Sequence, residues 1–424
     1  TKVQPPTPTS LKVKSTKLNS TLSRFAGPLS TLRQRNFGLV WTSIMLVGMG
    51  SQMETLVVAW FVLTKTGSPF LVGLVSSVRL GANFLALFAG ALADRLPRRL
   101  IVATAEFAQA GTGLTILLLL VTGTLELWHL FAITFLAGTA RIFQMPAAQS
   151  LAADSVGHDR ISTGVALITM GINMNLVVGP LIGGILFELA GPEGAYAMIS
   201  VLYILAAFSV LLVKTARLTV ETHRDSVWST VVQGLRYMKG QQVIWGALVV
   251  AVIINLTGFP FHGTLVPIFA RNVLGQDASG LGLLISGFGV GAVAGSMFLS
   301  LFPNLKNVGK LLILSVVVWH LSMAAFSTST SFPVSLGILL ITGFAFSSSL
   351  VLIMSAILRT ALPEFRGRLV GLRVLAIYAS AMGSMSSGAT AGAFSPQTAA
   401  NVSSILGISL IGILALIAPK LRRF

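Results

Sequence analysis

Gly90-Ala91-Leu92-Ala93-Asp94-Arg95-Leu96-Pro97-Arg98-Arg99 separates two long apolar runs. Four of its ten residues are charged and one is proline, in a chain where charged residues make up only 10%. A short basic turn with one acid, set between such runs, predicts a hinge at a membrane surface. The hydrocarbon core of a bilayer is about 30 Å thick, so each crossing needs about 20 mostly apolar residues.

On either side of that turn, twelve stretches meet the requirement: 38–63, 71–93, 100–122, 127–150, 161–188, 194–213, 243–270, 279–302, 309–328, 333–358, 367–391 and 398–418. A mean hydropathy of +0.86 excludes an ordinary soluble domain. The 42 glycines suit helices that pack closely without a hydrophobic drive between them. The expected fold class is an all-α membrane protein of twelve transmembrane helices in two six-helix bundles. Residues 1–37 are expected to be a disordered basic tail, 38–213 the first bundle and 214–242 a linker. Residues 243–418 then form the second bundle and 419–424 the C-terminus. In the linker, Val227, Trp228, Val231, Val232, Leu235 and Met238 share one helical face, as in an amphipathic helix on the inner surface or a packing strut. The first apolar run starts too late and is too long for a secretory leader.

The net charge of +17 could suggest nucleic acid, but its distribution does not. Most Lys and Arg fall in the tail, the inner loops and the C-terminus, while Lys65 and Arg271 are the ones assigned to the outer side. That positive-inside bias puts both termini in the cytoplasm of a multi-pass inner (plasma) membrane protein, with no nucleic-acid partner expected. The chain has no cysteine, and its five histidines show no metal-ligand spacing, so no metal and no cofactor are expected. No nucleophile–base arrangement or phosphate-binding loop is present, so no enzyme is expected.

The Gly90–Arg99 run resembles the signature between spans two and three of the major facilitator superfamily, with Pro97 in place of its usual Gly. Gly179-Pro180-Leu181-Ile182-Gly183-Gly184 is similar to that superfamily's antiporter motif, with Asn175 where the motif has another Gly. Arg141-Ile142-Phe143-Gln144 resembles the fourth-span motif whose Arg is linked to proton coupling, although Met145 departs from the Gly that follows. Pro267–Gly275, Pro363–Val370 and Gln233–Lys239 resemble the branch of enterobactin-type siderophore exporters and macrolide efflux pumps. The resemblance implies the superfamily fold and a monomeric drug:proton antiporter acting between a small organic substrate, protons and membrane lipid.

Ionisable groups inside a bilayer cost several kcal/mol unless paired or hydrated, so each is a candidate. Glu54 and Arg79 each lie about ten residues, or about 15 Å, below the outer ends of adjacent antiparallel spans. They form either a proton-carrying pair or a fixed structural one. Glu106 and Arg141, both in the inner third of spans three and four, form a second possible pair. His262 sits near an expected break in span seven, where freed backbone groups can line a cavity. Asn83, Gln144, Asn173, Asn175 and Asn255 suit either an amphipathic ligand or interhelical hydrogen bonds. A cytoplasmic gate is expected where Gly90, Asp94, Arg95, Arg98 and Arg99 meet the segment after Arg366 and Arg368. The acid there gains about 0.3–1 kcal/mol from a helix dipole, little enough to break each cycle.

Proton-coupled export of a small amphipathic organic compound is one expected function. An uptake symporter or lipid flippase on the same fold is a second, and a non-transporting membrane sensor or assembly factor a third.

Overall fold

The first long helix stops where Gly67 takes φ 65°, a left-handed conformation natural to glycine, and its N–H bonds back to Leu63 O at 2.9 Å. The next helix starts at once. Ser68 caps it by accepting from Leu71 N–H at 3.4 Å, and Pro69 fills the position that needs no N–H. Local chemistry thus sets a tight reversal between two antiparallel helices, α1 (Arg35–Thr66) and α2 (Pro69–Gly81). The computed structural model describes residues 30–82, 96–156, 160–214, 227–302 and 305–424, with side chains in the linker from residue 232 onward.

Three more elements complete the first set: α3 (Arg98–Val121), α4 (Leu127–Asp154) and α5 (Ile161–Leu211). Unbroken, the 51 residues of α5 would reach about 77 Å, more than twice the hydrocarbon thickness. The chain breaks at Gly191 (φ 68°, ψ −177°), followed by Pro192, so 161–190 and 192–211 are two helices in space. The linker helix α6 (Val227–Lys239) precedes α7 (Gln242–Thr257). A π-helical turn, Phe261–Leu265, then leads into α8 (Val266–Asn272). The helices α9 (Ala278–Ser300), α10 (Val308–Thr328), α11 (Phe332–Thr360), α12 (Pro363–Leu375), α13 (Ile377–Ala393), α14 (Pro396–Ile417) and the short α15 (Pro419–Arg423) follow.

Among the described residues there is no strand, and ten helical stretches are long and apolar enough to cross a membrane, with α5 counted once across its break, α7 to α8 as one and α12 to α13 as one; α2 is a shorter apolar helix. Leu189, Phe394 and Leu416 are more than three-quarters exposed, as side chains facing hydrocarbon rather than water would be. α1 begins at Arg35 and buries Phe37 completely, so the helix reaches back into the stretch expected to be tail. At the other terminus α15 is not a free end: buried Leu421 packs against Gly246 and Gly309. The linker helix docks on the second set, where Tyr237 stacks on Phe365 at 4.1 Å and its hydroxyl accepts from Leu362 N–H at 3.2 Å.

The two sets of helices meet through glycines. A methyl at Gly282 would stand 2.7 Å from Pro180 O, and one at Gly184 would collide with the backbone of Ala278. α5 and α9 therefore cross backbone to backbone. α2 and α13 do the same: a methyl at Gly388 would lie 2.8 Å from Pro69 O, and Ser77 donates to Ala381 O at 2.6 Å. Both crossings are tightest in the halves of these helices next to the Gly67 and Gly191 turns. That end of the molecule is sealed.

Candidate functional site

Below the sealed end lies a cavity of about 370 Å³ with walls from both sets. α1 contributes Gln52 and Thr55, α2 contributes Ser76 and Arg79, and α4 contributes Thr134 and Arg141. The facing wall carries Phe259, His262, Ser380 and Ser384. A smaller hollow of about 110 Å³ shares Gln52 and Arg141 with it and continues past Gly48, Gln144 and Asn175.

Glu54 is 2% exposed and sits behind the cavity wall. Its Oε2 lies 3.4 Å from Arg79 Nη2 and accepts from the Tyr203 hydroxyl at 3.0 Å. Arg79 also donates to Ser51 Oγ at 2.8 Å and to Ser51 O at 3.2 Å. The carboxylate is thus held by a cation, a phenol and a sealed pocket, the conditions under which a buried charge is tolerated. Equal depth brought Glu54 and Arg79 into one expected pair, and the geometry joins them. Tyr203, on the far part of α5, was not anticipated; a polar ring inside span six was its signal.

Glu106 and Arg141 do not pair. Glu106 is fully buried, and its Oε1 accepts from Ser43 Oγ at 2.5 Å and Gln144 Nε2 at 3.1 Å, while Oε2 has no hydrogen-bond partner. Arg141 turns the other way, into the cavity, within electrostatic reach of Arg79, Glu54 and Tyr203. The two residues share a depth but not a helix face. Among the described residues Arg141 forms no ion pair, because the two ion pairs are Arg79–Glu54 and Arg98–Asp154.

His262 reaches the cavity from the π-helical turn, so the expected break is a widened turn rather than an open gap. Its ring stacks on Phe288 at 4.9 Å and 11°, and its buried Nδ1 has no hydrogen-bond partner. Phe346 packs behind, 5.0 Å from Phe288 and 5.2 Å from Phe259, giving the wall an aromatic backing. His320 differs: Thr257 Oγ1 and Val316 O satisfy both of its nitrogens at 2.8 Å, so it packs rather than binds.

The uncharged candidates divide. Gln144 lines the hollow and holds Glu106, and Asn175 lines it with an unpartnered Nδ2. Asn255 donates to Ala251 O in its own helix at 2.8 Å, and neither it nor Asn173 lines the cavity or the hollow. Ser380 and Ser384, which the sequence alone does not single out, also line the cavity. The glycines of the antiporter-like motif serve contact: Gly179 and Gly183 lie against Gln52 and Met53 of α1, and Gly184 against α9.

Of the expected gate, Gly90, Asp94 and Arg95, like the cavity candidate Asn83, lie outside the described residues. Arg98 bonds Asp154 at 2.5 Å and Arg99 donates to Leu211 O, so both tie α3 to its own set. Arg366 donates to Ala361 O at 3.4 Å, and Arg368 lies 5.2 Å from the centre of the Phe365 ring, both within the second set.

A sequence profile of a family described as transmembrane secretion effector matches residues 26–424. YhjO of Bacillus subtilis (strain 168), an uncharacterised transporter of the major facilitator type, is 30% identical over 177 residues, 41% of this chain and 40% of that protein. YkuC of the same organism, likewise uncharacterised, is 25% identical over 200 residues, 47% of this chain and 45% of that protein. The chain thus spans less than half the length of the curated relatives it matches. A bacterial homologue of the human lysosomal transporter Spinster, solved inward-facing and unoccupied, superposes with a TM-score of 0.70 at 15% identity, over 92% of this chain and 96% of that one. The nucleoside transporter NupG superposes with a TM-score of 0.67 at 16% identity, over 93% and 99%. At these identities the likeness is one of fold.

Proposed function

The chain belongs to the transmembrane secretion effector family of the major facilitator superfamily, and from that premise we propose proton-coupled export of a small amphipathic organic compound by alternating access. It is a multi-pass membrane transporter; the cargo, the coupling ion and the direction are our reading. The observation that carries the reading is the cavity itself. Its walls come from both sets of helices, it is closed at one end by backbone contact, and two guanidiniums stand in it. Rocking one set against the other would part the α5–α9 and α2–α13 crossings and expose the same cavity to the other side.

The bias of Lys and Arg supports reading both termini as cytoplasmic, and on that reading the sealed Gly67 and Gly191 end faces outward. Asp94 with its neighbouring arginines would then latch the cytoplasmic end against the Arg366–Arg368 segment in the outward-facing state. For coupling, Glu54 is the leading carrier. Its ion pair with Arg79 is the contact that substrate or helix movement would alter, releasing the proton as cargo binds. Glu106, Arg141 and His262 are the other coupling candidates. The family's description, the antiporter-like glycines of α5 and the resemblance to siderophore and macrolide exporters favour export over uptake.

Reconstitution into liposomes under an imposed pH gradient, with siderophores and lipophilic antibiotics as cargo, tests this. A pH-driven flux abolished by Glu54→Gln is expected. Undiminished pH-driven flux in Glu54→Gln would rule out Glu54 as carrier, and the absence of any flux by the parent protein would defeat the transport reading.

A further inference from the structure

The cavity has more positive charge than it can balance. Arg79 is occupied by Glu54 and Ser51. Arg141 has no hydrogen bond and no ion pair among the described residues, yet it lines both the cavity and the adjoining hollow. Two guanidiniums against the one carboxylate of Glu54 leave one positive charge over, and Glu54 is sealed from the cavity. Glu106, the other buried acid nearby, faces Ser43 and Gln144. None of the described residues lining the cavity or the hollow is acidic. An unbalanced guanidinium at membrane depth costs several kcal/mol, and a ligand that supplies the missing charge recovers much of it.

The facing wall selects the rest of the ligand. Phe259 and His262 present ring surface, with Phe288 and Phe346 packed behind, and no charged residue stands there. Such a wall takes a flat apolar body. A cationic amphiphile would find this surface but no counter-charge, and would meet Arg141 at the other end.

We propose that Arg141 is the anion subsite of this cavity and that the cargo is an organic oxyanion, a carboxylate or its like, on an aromatic or alicyclic body. The acid accepts from the Arg141 guanidinium in the bidentate manner that its planar fork favours, while the body lies against Phe259 and His262. Ser380 and Ser384 line the same cavity. This narrows the cargo of the transport reading above and rests on it.

The test uses three probes that share one body and differ in charge: 2-naphthoate, 2-naphthamide and 2-naphthylmethylammonium. Each is titrated against the full chain in nanodiscs, with binding read by calorimetry. The acid should bind at least tenfold tighter than the amide, and the ammonium weakest. Arg141→Gln should erase the preference for the acid without weakening the amide, and Arg141→Lys should keep part of it. Should Arg141→Gln fail to fold, the order of the three probes on the parent protein still decides. Equal or tighter binding of the amide or the ammonium overturns the assignment, as does an acid affinity unmoved by Arg141→Gln. A cationic or neutral compound carried in the liposome assay would overturn it and leave the transport reading standing; silence from all three probes overturns it as well.

Discussion

Adding one methyl group at Gly184 should drive the protein out of the conformation described above. A Cβ there points at the carbonyl of Ala278, 3.1 Å from the carbonyl carbon and the same from Gly282 Cα. All of these are backbone atoms that cannot swing aside. α5 and α9 must therefore part, and overpacking of this kind costs about 1–3 kcal/mol. If the crossing opens during transport, the penalty falls on the sealed state alone. Each 1.4 kcal/mol is about tenfold in population, so the shift should be about 5- to 150-fold toward the state open at the Gly191 end. The chain contains no cysteine, so Ser76→Cys in the cavity wall is a unique label site. In oriented liposomes, Gly184→Ala should speed its reaction with a membrane-impermeant maleimide from the Gly191 side by at least about fivefold. Gly412→Ala, with nothing within 4 Å of the added carbon, is the control and should change nothing. A folded Gly184→Ala protein with an unaltered labelling rate would refute the idea that this crossing is the moving seal.

Two further outcomes follow from the charges. Removing one partner of a buried ion pair costs about 3–5 kcal/mol, and Arg79's partial exposure to the cavity lowers that to about 2–3 kcal/mol here. Glu54→Gln and Arg79→Gln should each lower thermal stability in detergent, and the double variant should recover most of the loss; additive losses would show that the pair is not coupled. Asp277 caps α9 by accepting from Gly280 N–H at 2.7 Å, and this bond, followed by that of the Ser279 hydroxyl, holds its carboxyl below the ordinary 3.8. A lowered carboxyl stabilises the fold above its ordinary value and loses that contribution as the pH falls through the folded one. Asp277→Ala should cost about 1 kcal/mol at neutral pH, while Asp277→Asn caps equally well and does not titrate. Acid-unfolding curves of the parent and Asp277→Asn that run parallel below pH 3.8 would contradict this.

Depth along a helix was legible in the sequence, and azimuth was not. Counting residues from the outer turns set Glu54 and Arg79 level, and α1 and α2, joined by two residues, have to be neighbours. The same counting set Glu106 level with Arg141 and failed. Whether two residues of equal depth meet depends on how each helix is rotated about its axis. Helices apolar on all sides carry no stripe to fix that rotation. Tyr203 joined Glu54 through the turn at Gly191, which folds the last part of α5 back beside α1. The aromatic wall was hidden for the same reason, since Phe259, Phe288 and Phe346 come from three elements far apart in the chain. The linker helix was legible because its apolar residues do form a stripe.

The π-helical turn at Phe261–Leu265 works as a register shift within one span. A wide turn of this kind holds one residue more than an α-turn, and each residue of an α-helix advances about 100° around the axis. Everything after Leu265 is therefore rotated by that step relative to an unbroken helix. Upstream of the shift, this span turns Gly258 onto Trp319 of the second set; downstream, Arg271 reaches Leu63 O at the end of α1. The far half of the span thereby reaches the opposite set while Phe269 still packs on Phe326 of its own. Shortening the turn by a single residue would keep the span's length almost intact and unhook its far half from the first set.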